Sequence, residues 1–317
     1  MPTYTPVWKD TFVDLGAVES AAFSVILDSD LSVLYSGKAV RRPDEGTLRV
    51  RVNDIIADLL GRNLLTLQDP FTDYAAFLAG VTVSGNGVSQ QLSFINDWSY
   101  DYGKTYGSAF ILSDPINGLL DGRQTFAVTG VFSGNENAVF TKANGSTTSA
   151  AVGITGEGTY KVDLSTIANL AAVTLGGKTW RVDGSCRTWV LHYINAYGGW
   201  DSLLIRGGGK QIDQITRYEH RRSYDNVAAM NRGRVNYLND ITTRWELHSG
   251  WLSDNESSRV HELMRSVLVY LEDVTAGVML PVVIADNEQE TKTYQNQGRR
   301  MVDYTFTVEL AADRFRK

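Results

Sequence analysis

The 317-residue chain contains one cysteine, Cys186, and only six prolines. A lone thiol excludes an internal disulfide framework and any thiolate metal cluster. Nowhere does the sequence approach the roughly 18 consecutive apolar residues that a membrane-spanning helix requires. Positive charge is also in short supply: 30 Lys and Arg stand against 36 Asp and Glu, a formal net charge of −6. Specific nucleic-acid binding is therefore disfavoured, because neutralising phosphates needs a basic surplus. The stretch Met1–Asp14 mixes Trp8, Lys9, Asp10 and Asp14 with apolar residues. It lacks the basic start and unbroken apolar core of a signal peptide, so none is expected. The chain as a whole is 43% hydrophobic and 21% charged, which is the mix of globular domains rather than of disordered chains. Twenty-nine glycines suggest many tight turns between short strands.

A period of two dominates the pattern. Phe23–Leu27 and Leu31–Tyr35 flank Asp28-Ser29-Asp30 as a strand–turn–strand hairpin. Pro43-Asp44-Glu45-Gly46 reads as a turn, and Leu48–Val52 alternates as a strand. Asn53 or Asp54 then caps a short helix expected to run to about Leu60 and to stop at Gly61. From about Val81 the strands Val81–Val83, Gln91–Ile95, Thr125–Val128 and Thr159–Val162 are spaced by Gly85-Asn86-Gly87, Asn117-Gly118, Asn144-Gly145 and Gly176-Gly177. That spacing predicts a β-sandwich over residues 81–184, either inserted in a larger domain or simply following the first. Residues 1–80 form an N-terminal β unit, and residues 185–317 an α+β unit expected to pack with it. The latter holds the strands Trp189–Ile194 and Asp201–Ile205 and one helix near 254–267. Ser253 and Glu256 have capping-box spacing, and Val260, Leu263, Met264 and Val267 fall on one helical face. Leu268–Leu271 and Pro281–Ile284 read as strands around a turn at Gly277. Val302, Tyr304, Phe306, Val308 and Leu310 alternate as a half-exposed last strand. The fold class is mainly β, with sandwich and barrel-like sheets and one or two short helices.

Motifs that carry chemistry are scarce. His192, His220, His248 and His261 have no second ligand at helical or hairpin spacing, so no metal site is expected. Gly207-Gly208-Gly209-Lys210 lacks the earlier Gly and the following Ser or Thr of a phosphate loop and reads as a turn. No G-x-S-x-G elbow occurs, and Cys186 beside Arg187 has no histidine placed to activate it, so it reads as a small buried thiol. No catalytic or cofactor-binding residues are assigned. Two features remain as candidate binding or interface residues. Trp98, Tyr100 and Tyr102 in one segment, and Tyr197 and Trp200 in another, place rings beside turn residues. They suit sugar stacking or protein contacts, or else they plug the ends of a sandwich core. Arg206, Lys210, Arg217, Arg221, Arg222, Arg232 and Arg234 form a locally basic stretch interrupted by Asp213, Glu219 and Asp225. Of these Arg217, Arg221 and Arg222 are the candidate interface residues, since the planar guanidinium pairs bidentately with carboxylates.

Several segments together carry a resemblance. They are Gly37-Lys38-Ala39 with Pro43-Asp44-Glu45-Gly46; Val52-Asn53-Asp54-Ile55; Asn96-Asp97-Trp98-Ser99-Tyr100-Asp101; and Leu112-Ser113-Asp114-Pro115-Ile116 with Asp121-Gly122-Arg123-Gln124. Later come Tyr193–Asp201, Ser249-Gly250-Trp251-Leu252-Ser253-Asp254 and Pro281-Val282-Val283-Ile284. From about Phe23 to Leu310 the chain resembles structural tail proteins of Bacteroidetes phages and prophages. The resemblance implies a virion component without catalysis, of distal-tail, tail-tip or baseplate type. It would form a homo-oligomeric ring in the tail, contact other tail proteins, and be assembled in the bacterial cytoplasm. Tail tube, collar and capsid-associated roles remain open. A carbohydrate-binding adhesin that meets a host surface glycan through Trp98, Tyr100 and Tyr102 is the alternative. In a ring, the last alternating strand, Val302–Leu310, is expected to pair across copies.

Overall fold

The computed structural model describes residues 4–64, 77–101, 103–113, 119–120, 125–182, 189–221, 234–286, 301–311 and 314–316. The fold is mainly β, with two α-helices among the described residues. In chain order the strands are β1 (Tyr4–Pro6), β2 (Phe12–Asp14), β3 (Ser20–Leu27), β4 (Val33–Val40), β5 (Arg49–Arg51), β6 (Leu78–Gly85), β7 (Val88–Ile95) and β8 (Phe110–Ile111). They continue with β9 (Leu119–Leu120), β10 (Thr125–Ser133), β11 (Asn137–Lys142), β12 (Thr147–Ala151), β13 (Thr155–Asp163), β14 (Leu170–Leu175), β15 (Lys178–Val182), β16 (Trp189–Ile194) and β17 (Trp200–Ile205). The remainder are β18 (Gly209–Arg221), β19 (Arg234–His248), β20 (Leu252–Ser253), β21 (Val269–Asp273), β22 (Val278–Ile284), β23 (Met301–Val302), β24 (Thr305–Leu310) and β25 (Arg314–Arg316). Helix α1 spans Asn53–Leu64 and α2 spans Asp254–Arg265. No helix among the described residues is long and apolar enough to cross a membrane.

The chain divides into two units. The first comprises residues up to 185 together with 194–202, and the second comprises 186–193 with 203–317. In the first, the expected 23–35 hairpin forms as β3–β4, and strand order β1-β7-β6-β3-β4 builds the N-terminal sheet. Strands β6 and β7, expected to open the middle domain, belong to this sheet instead, since Val25 pairs with Val83. The boundary read near residue 80 therefore falls inside a sheet, and the N-terminal and middle strands share one unit. The β6–β7 connection is the tight turn signalled by Asn86-Gly87: both residues take the left-handed backbone (φ 50° and 77°) that this hairpin needs. One sheet face is apolar, with Val25, Val81, Val83 and Phe94 fully buried. Against them packs α1 through Ile56 and Leu60. This helix runs through Gly61 to Leu64 rather than stopping at Gly61. A glycine ends a helix only if it turns left-handed, and the packing of one apolar face holds it helical here.

The middle strands form two sheets, β13-β10-β8 and β12-β11-β14-β15-β9. Phe126 on the first meets Trp180 on the second edge-on at 5.1 Å between ring centres. Turns at Asn144-Gly145 and Gly176-Gly177 stand where their residue types placed them, while Asn117-Gly118 lies outside the described residues.

The second unit is built on one large sheet, ordered β17-β16-β21-β22-β24-β19-β18, with β25 also on β19. Its core holds Leu191, Tyr193, Trp245, Leu247, Leu271, Phe306 and Val308, covered by Val260 and Leu263 of α2. The helix ends at Arg265, so Val267, expected on the same face, lies beyond it and is exposed. The β21–β22 turn occurs at Gly277 as expected. Strand β24 is interior, paired to β19 on one side and β22 on the other. The expectation that it pairs across copies is thereby corrected: both of its edges are already used. Gly207 explains the glycine run that superficially resembles a phosphate loop. A Cβ there would lie 2.8 Å from the His248 Cβ and 2.9 Å from the Gly250 nitrogen, so the backbones can approach only because none is present.

Candidate functional site

Two regions gather the candidate residues, one in each unit. In the first unit, the segment after β7 is a chain of self-capping turns. Ser99 N–H donates to Asp97 Oδ1 at 2.7 Å, Asp101 N–H to Ser99 Oγ at 3.4 Å, and Gly103 N–H to Asp101 Oδ1 at 3.0 Å. Such side-chain acceptors are what Asp and Ser supply at turns. Below them Asp97 is fully buried and accepts the Tyr106 hydroxyl at 2.6 Å. Burial, and then the bond to Asp97, push the Tyr106 phenol far above its ordinary value, so it stays protonated. The neighbouring Asn96 accepts the Trp98 indole N–H at 3.0 Å, and Trp98 N–H donates to the Ala196 carbonyl at 2.6 Å.

The result is a rigid base that turns two rings outward. Trp98 is 43% exposed and Tyr100 58% exposed, and Tyr100 sits at φ +57°, where a bulky residue is strained. The ring of Trp8 lies 5.7 Å from that of Tyr100. Next to this loop, the β16–β17 turn is organised by Asn195. Its amide donates to the Leu112 carbonyl at 2.9 Å, and its Oδ1 accepts the N–H groups of Tyr197 and Gly199, both at 3.0 Å. Tyr197 is half-buried, with the Lys104 ammonium 3.0 Å from its ring centre, a cation–π contact. Trp200 is buried, so its ring fills the core and presents no binding face. Tyr102 lies outside the described residues. Asp97, Tyr106 and Asn195, which shape this region, carried no signal in the sequence except turn-forming residue types beside aromatics.

In the second unit the basic stretch proves to be a hairpin. Strands β18 and β19 pair from Gly209↔Leu247 to Arg221↔Arg234, with one register shift between Tyr218 and Glu219. Arg217 and Arg221 are exposed on β18, whereas Arg222 and Arg232 lie outside the described residues, as does Cys186. Lys210 pairs with Glu246 at 2.7 Å and Arg234 with Glu219 at 3.6 Å. Ion pairing to Lys210 holds the Glu246 carboxyl below its ordinary value. Ile215, Tyr218, Val235 and Tyr237 are all exposed, and the rings of Tyr218 and Tyr237 lie 6.3 Å apart. Among the described residues β19 is the only strand beside β18, whose outer backbone edge is open along its length. Among the described residues, Arg234–Leu238 of β19 are likewise paired only to β18.

Two histidines join framework strands: buried His192 Nε2 lies 2.9 Å from Glu272 Oε2, and His248 Nδ1 lies 3.0 Å from Thr305 Oγ1. Among the described residues, no three His, Cys, Asp or Glu side chains are placed to hold a metal ion. No protein-family model matches the chain, and no curated protein matches its sequence.

Proposed function

We propose that this chain is a non-enzymatic structural component of a phage virion, a tail-tip or distal-tail (baseplate) protein that assembles as a homo-oligomeric ring. The observation that carries the reading is the β18–β19 hairpin. A 13-residue edge strand, exposed on both faces and bearing apolar and aromatic side chains, is a template for pairing with another chain. A two-stranded ribbon gains little stability by itself and gains much when further strands join it. Among the described residues its two strands offer different free edges: all of β18, and the end of β19 near Arg234–Leu238. Docking β18 of one copy on that end of β19 in the next is a head-to-tail contact, and such contacts close into rings when the rotation permits. Alternating charges, Lys210, Asp213, Arg217, Glu219 and Arg221, set the register and disfavour random pairing. The placement in a phage tail rests on the sequence resemblance, and contacts with other tail proteins follow from it.

The test replaces residues 214–242 with Asn-Gly, which joins Asp213 to Thr243 by a tight turn and keeps the base of the hairpin. The full-length chain is expected to give discrete ring-sized masses by mass photometry, and the shortened chain a folded monomer with an unaltered β-type circular dichroism spectrum. A monomeric full-length chain, or a shortened chain with its subunit number unchanged, would refute the ring.

A further inference from the structure

We propose that the Trp98–Tyr100 loop of the first unit is a carbohydrate-binding platform that stacks a pyranose ring of a polysaccharide. Three observations point to sugar rather than to a protein surface. First, the described residues of the loop expose two aromatic rings and no aliphatic side chain. The other exposed large apolar side chains, such as Leu31, Val33, Val40, Ile215 and Val235, lie on strands or their turns elsewhere, and among its described residues this loop exposes only Trp98 and Tyr100 of that kind. A protein interface sets its aromatic residues in a patch of about 20–30 residues a side, whereas the C–H face of a pyranose is matched by a ring face alone. Second, the polar handle of Trp98 is consumed internally, because its N–H is given to Asn96 Oδ1. The indole is therefore left with its ring, not its N–H, to offer a ligand. Third, the rings are held before any ligand arrives. Asp97, Asn96 and the Ala196 carbonyl lock the backbone and the indole, and Trp8 stands against Tyr100. Pre-ordering spares the side-chain entropy that binding would otherwise cost. It also gives the left-handed backbone at Tyr100 a use, since strain of this kind persists where surrounding structure enforces it. The exposed Asp101 adds a carboxylate at the rim, an acceptor for sugar hydroxyls. A nucleobase, the other flat partner of aromatic rings, is disfavoured by the net charge of −6.

The experiment is affinity electrophoresis of the full chain through gels containing dextran, laminarin, xylan, mannan or purified bacterial lipopolysaccharide, with intrinsic fluorescence read in parallel. Variants are Trp98→Ala and Tyr100→Gly, the latter removing the ring while relieving the left-handed strain. Val267→Ala, an exposed position just past α2 and outside both proposed surfaces, serves as control. The expected result is that at least one polysaccharide retards the native chain and the Val267→Ala control alike and shifts tryptophan emission to the blue. Each loop variant should bind it roughly tenfold more weakly or worse. Retardation by none of the five, or retardation equal in Trp98→Ala and Tyr100→Gly, overturns the platform. A lower subunit number in the loop variants, read by mass photometry, overturns it in favour of a contact between copies. The ring proposal is read separately, by the subunit number of the hairpin-shortened chain.

Discussion

Tyr106 donates its hydroxyl hydrogen to the carboxylate of Asp97 at 2.6 Å, and both side chains are buried. The other Asp97 oxygen holds the turn that leads to Trp98 and Tyr100. Tyr106→Phe removes one partner of a buried charge without leaving a large cavity, and should cost about 1–3 kcal/mol. Urea denaturation would read the loss. An unchanged midpoint would mean that water replaces the phenol and that the pair does not brace the loop.

Glu157 accepts the backbone N–H groups of both Phe77 and Leu78, each at 3.2 Å. Burial raises its carboxyl above the ordinary 4.5, and those two N–H groups only partly offset this. The folded protein thus binds this proton more tightly than the unfolded chain does. Its contribution is fully present below pH 4.5 and is lost as pH rises through the higher folded value. Glu157→Gln keeps an acceptor oxygen and removes the charge. Melting temperature measured from pH 4 to 8 should therefore fall less steeply in the variant, which should be the more stable protein at neutral pH. Parallel curves would contradict the assignment.

Asn195 satisfies three backbone groups with one side chain. Asn195→Ala leaves the N–H groups of Tyr197 and Gly199 without that acceptor, and should destabilise by about 2–3 kcal/mol. Hydrogen exchange of a peptide covering 195–200 should accelerate well before global unfolding. Protection equal to the native protein would place the turn's rigidity elsewhere.

Gly61 lies on the exposed side of α1, and nothing stands within 4 Å of where its Cβ would be. Gly61→Ala restricts the unfolded chain and suits the helix, and should add about 0.5–1 kcal/mol. A lower melting point in the variant would show that the glycine has a role beyond the helix.

Local order was legible in the residues. The 23–35 hairpin, the Asn86-Gly87, Asn144-Gly145 and Gly277 turns and the apolar face of α2 all follow from neighbours within a few positions. The same holds for the exposed rings, since Trp98 and Tyr100 were visible as aromatics beside turn formers. Partnership was not legible. That β6 and β7 belong with β3, that β24 is interior while β18 is the open edge, and that Trp200 turns inward are settled by contacts between distant segments. Asn195 reaches Leu112 across 83 residues, and no local pattern marks that pair. Sequence alone thus determined the short-range conformations, because φ preferences and side-chain alternation act over a few residues. Only the tertiary structure decided which strand edges are spent and which remain open, because a strand's hydrogen-bonding groups are alike on every strand and long-range packing chooses among them.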